Sequence, residues 1–166
     1  MIKYKLVAMG GTFDSFHKGH KILIKKAFQV GVKVIIGLTS DEFVSTQKKS
    51  HAVDSYLVRK KDLVDFLHEL DVVKRTKIVT LTDPWGPTIT DPAIEALVAS
   101  EETKNTIKKI NEIRITSGLK PLKLITVQMV HADDCKRISS TRIRNSEIDR
   151  DGHVLIDKIE KKVRVN

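Results

Sequence analysis

The chain has 166 residues, 40% of them hydrophobic and 31% charged, which suits one domain with a proper core and excludes a disordered protein. No apolar run approaches the roughly 20 residues that a membrane-spanning helix needs, and a single cysteine, Cys135, excludes an intrachain disulfide. The net charge of +9 would suit nucleic acid or a small polyanion such as ATP. Five Phe, two Tyr and one Trp are too few for a single-strand stacking platform, so no nucleic-acid partner is expected. Residues 1–5 lead directly into an apolar strand pattern with no signal-peptide stretch, and a cytoplasmic protein, monomeric or a small homo-oligomer, is expected.

Residues 3–9 read as a first strand ending on Gly10-Gly11. From 17 to about 30, Ile22, Leu23, Ala27 and Val30 recur at helical spacing, and Gly31 is expected to stop that helix. Residues 33–38 form a second strand, apolar almost throughout, as a strand buried on both faces is. A polar stretch over 39–50 precedes a predicted helix at 55–70 and a third strand at 77–81. Pro84, Gly86 and Pro87 then mark a turn-rich loop, and 92–98 reads as a short helix with proline near its start. A helix over 101–116 ends at Ser117-Gly118, a fourth strand covers 122–130, and a last helix covers 139–148. This alternation predicts an α/β fold, a Rossmann-like doubly wound parallel sheet in a single domain. Its core would span about 3–150, with a basic C-terminal tail over about 151–166.

Chemistry concentrates at two places. Glycines directly after the first strand let backbone approach a ligand, and a helix starting near His17 aims its N–H groups at the same space. Open α/β sheets bind ligands at the carboxyl ends of their strands, where Gly10, Gly11 and Thr12 fall. His17 and His20, three residues apart, share one side of the first helical turn. With no cysteine or third ligand nearby they are a weak zinc signal, and no protein-held metal is expected. A general base or a plain helix cap are further readings; two imidazoles beside a glycine turn fit best as donors to phosphate oxygens. The second place is Ser139-Ser140-Thr141, three hydroxyls opening a helix, with Arg144 three residues on. They are good N-caps that also suit a phosphate.

Gly-Gly-Thr-Phe-Asp-x-x-His-x-Gly-His over 10–20 resembles the first motif of the nucleotidyltransferase superfamily. Ile138-Ser139-Ser140-Thr141-Arg142-Ile143-Arg144 resembles its Ile-Ser-Ser-Thr-x-Ile-Arg motif, which holds ATP phosphates. Asp83-Pro84-Trp85-Gly86-Pro87, Thr90-Asp91-Pro92, Ser100-Glu101-Glu102-Thr103 and Asn111-Glu112-Ile113-Arg114 resemble the archaeal-type phosphopantetheine adenylyltransferases. These are similar to one domain of eukaryotic coenzyme A synthase, and the likeness runs over about 5–144.

The resemblance implies a free-standing enzyme of coenzyme A biosynthesis. Its substrates would be ATP and 4'-phosphopantetheine, its products 3'-dephospho-coenzyme A and pyrophosphate, with Mg2+ riding on the nucleotide. It further implies that His20 and Thr12 act at the transferring phosphate, while His17 and Gly11 support the nucleotide. Ser139, Ser140, Thr141 and Arg144 would hold the remaining phosphates. Lys48 or Lys49 would meet the acceptor phosphate, although a solvated loop lysine is an equal reading of either. Arg59 would contact the acceptor or simply face solvent on its helix, and Asn111 and Arg114 would contact the nucleotide. Another phosphorylated acceptor, such as nicotinamide mononucleotide, flavin mononucleotide or a polyol phosphate, is the nearest alternative. A basic nucleic-acid module and a non-catalytic nucleotide sensor stand further off.

Overall fold

The computed structural model describes residues 3–47 and 52–155. Five strands, β1 (Tyr4–Gly11), β2 (Gly31–Thr39), β3 (Thr76–Leu81), β4 (Ala96–Ser100) and β5 (Lys123–Val127), form one sheet in the order β3-β2-β1-β4-β5. Every pairing is parallel. The helices are α1 (Lys18–Val30), α2 (Asp41–Thr46), α3 (Tyr56–Glu69), α4 (Lys104–Thr116) and α5 (Ser140–Arg144). None of the described helices is long and apolar enough to cross a membrane.

Strand periodicity separates two cores. Val7, Met9, Val34, Ile36 and Leu38 point to one face, where Ile24, Ala27 and Phe28 of α1 and Leu63, Phe66 and Leu67 of α3 cover them. Ala8, Ile35 and Leu97 point to the other, against Ile107 and Ile110 of α4. With helices on both faces the sheet is doubly wound, as the alternation of elements predicts. Strand order reverses between β1 and β4, so the connections leaving their carboxyl ends diverge and open a crevice there.

Several local expectations need correction. Residues 92–98 do not form a helix: Ala96–Ser100 is a strand between β1 and β5, with Ala96, Leu97 and Val98 buried. Pro92, Ala93, Glu95 and Ala96 favour a helix locally, but a run this short takes its state from the sheet that closes around it. Gly31 does not cap α1 in a left-handed turn; it is extended at φ −113° and already begins β2. A Cβ there would stand 2.7 Å from a Val7 methyl, so glycine serves close packing of the helix end against β1. Gly118, by contrast, does end α4 at φ +76°.

The polar stretch after β2 contains α2, whose start is capped by Ser40 accepting the Phe43 N–H at 3.0 Å. The strand predicted over 122–130 stops at Val127, and α5 is far shorter than 139–148. Ser146, at φ +54°, turns the chain so that Ile148 is buried with Ala132 and Ile138 in a small separate core.

Candidate active site

Two cavities meet at the end of β1, and Gly10 and Gly11 line both. The first, about 260 Å3, is mainly apolar, with Phe43, Leu81, Trp85, Val98, Ile107 and Ile110 on its walls and Thr12 at its rim. The second, about 240 Å3, collects His17, Gly19, His20, Ser100, Arg137, Ser139 and Ser140. It lies between α1, the ends of β4 and β5, and the start of α5. Gly10 and Gly37 are register partners, and a Cβ on Gly37 would come within 2.6 Å of the Leu81 side chain. Leu81 thereby packs over the glycine pair and forms the floor of the apolar cavity.

The turn after Gly11 is tightly held. Phe13 and Ser15 adopt φ of +53° and +47°, left-handed values that cost non-glycine residues free energy and persist only where the surroundings enforce them. Enforcement is visible: residues 13–17 are all buried. Asp14 is the centre of that turn. Its carboxylate accepts two bonds from Arg144, at 3.0 and 2.7 Å, and a third from the Asp54 N–H at 2.9 Å. Its carbonyl accepts the Ser140 hydroxyl at 2.7 Å. One residue thus fastens the first motif to the second, 126 positions along the chain.

The histidines are set by their own backbone. His17 is the N-cap of α1, and its Nδ1 accepts the Gly19 N–H at 3.1 Å. His20 Nδ1 accepts the His17 N–H at 3.2 Å, completing a reciprocal capping box. The rings stack with centroids 3.8 Å apart, and His20 also stacks on Phe16. An Nδ1 that accepts a hydrogen bond carries no proton, so each neutral imidazole has its N–H on Nε2. Burial first, and then the positive charge of Arg137, push the His17 pKa down to about 4, against an opposing pull from Asp14. At neutral pH His17 is therefore an uncharged donor and a very weak base.

The structure brings Gly11, His17, His20, Ser139 and Ser140 together around the second cavity and puts Thr12 on the first. Ser139 caps α5 by accepting the Arg142 N–H at 3.3 Å, while Thr141 lies half-buried in its first turn. Arg144 turns to Asp14 and to Asp54, the latter at 3.1 Å, and those hydrogen bonds, Asp14 first, raise its pKa above the ordinary arginine value. Lys48 and Lys49 lie outside the described residues, although Gln47 just before them lines the apolar cavity.

Three expected ligand contacts are structural braces here. Arg59, 1% exposed, donates to the carbonyls of Thr12, Thr39 and Asp54 and to the Asp41 carboxylate. Asp41 also receives the Tyr56 N–H at the start of α3, and these two partners hold its pKa below the usual carboxylate value. Arg114, equally buried, donates to the carbonyls of Thr88, Asp91, Ile94 and Lys120. Asn111 spends its amide on both main-chain groups of Leu122. Sequence reading assigned no role to Asp14 although it stands inside the first motif, and gave none to Asp54 or Arg137. Only its place two residues before Ser139 could have drawn notice to Arg137.

A glycine turn, paired histidines and a hydroxyl-rich helix start, gathered at the switch point of a doubly wound sheet, are marks of a nucleotidyltransferase. The sequence signature of the family described as cytidylyltransferase-like matches residues 8–146, and the chain belongs to that family. It is 48% identical to the phosphopantetheine adenylyltransferase of Methanothermobacter thermautotrophicus over 153 residues, 92% of this chain and 91% of that one. The phosphopantetheine adenylyltransferase of Methanosarcina mazei is 44% identical over 151 residues, 89% and 96% of the two chains. A crystal structure of an Archaeoglobus fulgidus protein of unknown function superposes with a TM-score of 0.63 at 33% identity, covering 73% of this chain and 87% of that one.

Proposed function

We propose that this chain transfers AMP from ATP to 4'-phosphopantetheine, giving 3'-dephospho-coenzyme A and pyrophosphate, in the cytoplasm. The observation that carries the reaction type is the fastening of the two motifs through Asp14, which sets His17, His20, Ser139 and Ser140 around one cavity. Identity of 40–48% to archaeal phosphopantetheine adenylyltransferases supports the acceptor.

In this reading the nucleotide occupies the polar cavity and the acceptor the apolar one, whose Trp85, Leu81 and Ile107 suit an uncharged arm of methylenes and amides. The two reacting phosphates meet at the Gly10-Gly11 wall that both cavities share. An oxygen of the acceptor phosphate attacks the α-phosphorus; as that bond forms, the bond to the bridging oxygen breaks and its electron pair leaves on pyrophosphate. A phosphate monoester, with a second pKa of about 6, is already mostly ionised at neutral pH, so no strong base is needed. A His17 that titrates near 4 is consistent with that economy. Catalysis comes from aligning two polyanions and stabilising charge at the α-phosphate through Nε2–H of His20 and the Thr12 hydroxyl.

Among the described residues no three His, Cys, Asp or Glu side chains converge to cage a metal. Mg2+ would travel on the phosphates and neutralise part of their charge. The test is incubation with ATP, Mg2+ and 4'-phosphopantetheine, with nicotinamide and flavin mononucleotides as competing acceptors. A mass matching dephospho-coenzyme A with equimolar pyrophosphate is expected; pyrophosphate release only with another acceptor would refute the substrate.

A further inference from the structure

The polar cavity has to bind a triphosphate, yet the cations expected to do this are engaged elsewhere. Arg144 is held between Asp14 and Asp54. Arg142 is held by Asp134 and Glu147 and by the carbonyls of Lys136 and Arg137. Arg59 and Arg114 are buried on main-chain carbonyls. His17 and His20 offer N–H dipoles, and His17 is uncharged at neutral pH.

Arg137 stands apart from these. It lines the polar cavity beside the two histidines and the two serines. Its backbone is pinned by a bridge to His131 and by a carbonyl that accepts from Arg142 at 2.9 Å. Its guanidinium pairs with Glu102, and both side chains are half exposed, at 49% and 50%. Glu102 lies two residues beyond Ser100, which also lines this cavity, at the end of β4. The ion pair therefore ties Arg137 to the segment that follows β4, in a setting where such a pair contributes little stability. A triphosphate, richer in charge and able to accept two parallel N–H bonds, would outcompete a single solvated carboxylate.

We propose that Arg137 binds the β- and γ-phosphate oxygens of ATP, and that Glu102 holds its guanidinium at the cavity's edge until nucleotide displaces it. The assignment to the leaving end follows from in-line geometry. The acceptor approaches the α-phosphate from the Gly10-Gly11 wall, so pyrophosphate departs on the far side, within the polar cavity. Arg137 lines that cavity and not the apolar one. The inference rests on the nucleotide occupying the polar cavity, as the proposed function has it.

Calorimetric titration of wild type, R137Q and E102Q with ATP plus Mg2+, and separately with AMP, tests it. R137Q should weaken ATP binding by about 10- to 100-fold, the scale of a lost charge-assisted bond, with AMP affinity within about twofold. E102Q should move the other way, tightening ATP binding by up to about fivefold at low salt, since it removes a competing carboxylate. Thermal melting of each variant establishes that it is folded. Equal loss of ATP and AMP in R137Q, or no loss of either, would overturn the assignment. So would an E102Q protein that binds ATP no better than wild type. A wild-type protein that binds neither nucleotide would overturn the functional proposal itself, an outcome separate from failure of Arg137 alone.

Discussion

Replacing His17 by Asn tests how the first motif is built. His17 is neutral in the folded protein down to about pH 4, whereas in the unfolded chain it takes up a proton below its ordinary value of 6.5. Between these two values the unfolded state binds more protons, so the His17 contribution is complete above pH 6.5 and is lost as the pH falls towards 4. At about 1.4 kcal/mol per pH unit, the whole window represents about 3 kcal/mol. Asn keeps a side-chain oxygen to accept the Gly19 N–H and is a good N-cap, but has no proton to gain. Urea unfolding of both proteins at pH 7, 6, 5 and 4 measures the effect. Depressed carboxylates such as Asp41 are common to the two proteins and cancel in their difference. The advantage of wild type over His17→Asn should shrink by about 3 kcal/mol from pH 7 to pH 4, at up to about 1.4 kcal/mol per unit. Parallel curves would mean that the imidazole is solvated and the buried, backbone-bound ring described here is wrong.

His20→Ala should lower turnover by about 100-fold or more, the scale of a lost transition-state donor, with the far-ultraviolet spectrum unchanged; near-normal kcat would remove His20 from the reaction. Arg114→Met strips a donor from four main-chain carbonyls, those of Thr88 and Ile94 buried, and should destabilise by about 3 kcal/mol or more in urea melts, leaving the KM values for both substrates near wild type. A rise in KM for ATP at unchanged stability would return Arg114 to the nucleotide. Asp14→Asn removes the charge that pairs with a partly exposed Arg144 and should cost about 1–3 kcal/mol. It should also raise KM for ATP, since Asp14 fixes where α5 sits; an unaltered KM would show that α5 holds its place unaided.

The sequence disclosed most where periodicity and motif agreed. The apolar runs of β1, β2 and β3 and the amphipathic stripe of α3 are local signals, each long enough to be read alone. β4 is illegible because its five residues sit inside the sheet, next to the β5 edge, where only pairing with β1 and β5 selects a strand. The motif residues Gly11, Thr12, His17, His20, Ser139 and Ser140 line the two adjoining cavities. What spacing leaves out is where a long side chain goes after leaving its backbone. Arg59, Asn111, Arg114 and Arg144 sit near the site in sequence pattern, yet each is turned towards protein partners. An arginine inside a buried turn can satisfy several main-chain carbonyls at once, and no local pattern distinguishes that use from phosphate binding.

The same division of labour explains how a strained turn is held where two substrates must meet. Phe13 and Ser15 keep left-handed backbones because Asp14, between them, is tied at its carboxylate to Arg144 and Asp54 and at its carbonyl to Ser140. Arg59 ties the same turn to β2 through the carbonyls of Thr12 and Thr39. Most of the arginines near the site thus stabilise its geometry, and in the proposed reaction polar N–H groups would face the transferring phosphate. In the proposed reaction, N–H and hydroxyl donors at the α-phosphate and the positive charge of Arg137 at the departing end would direct stabilisation to where charge grows as pyrophosphate leaves.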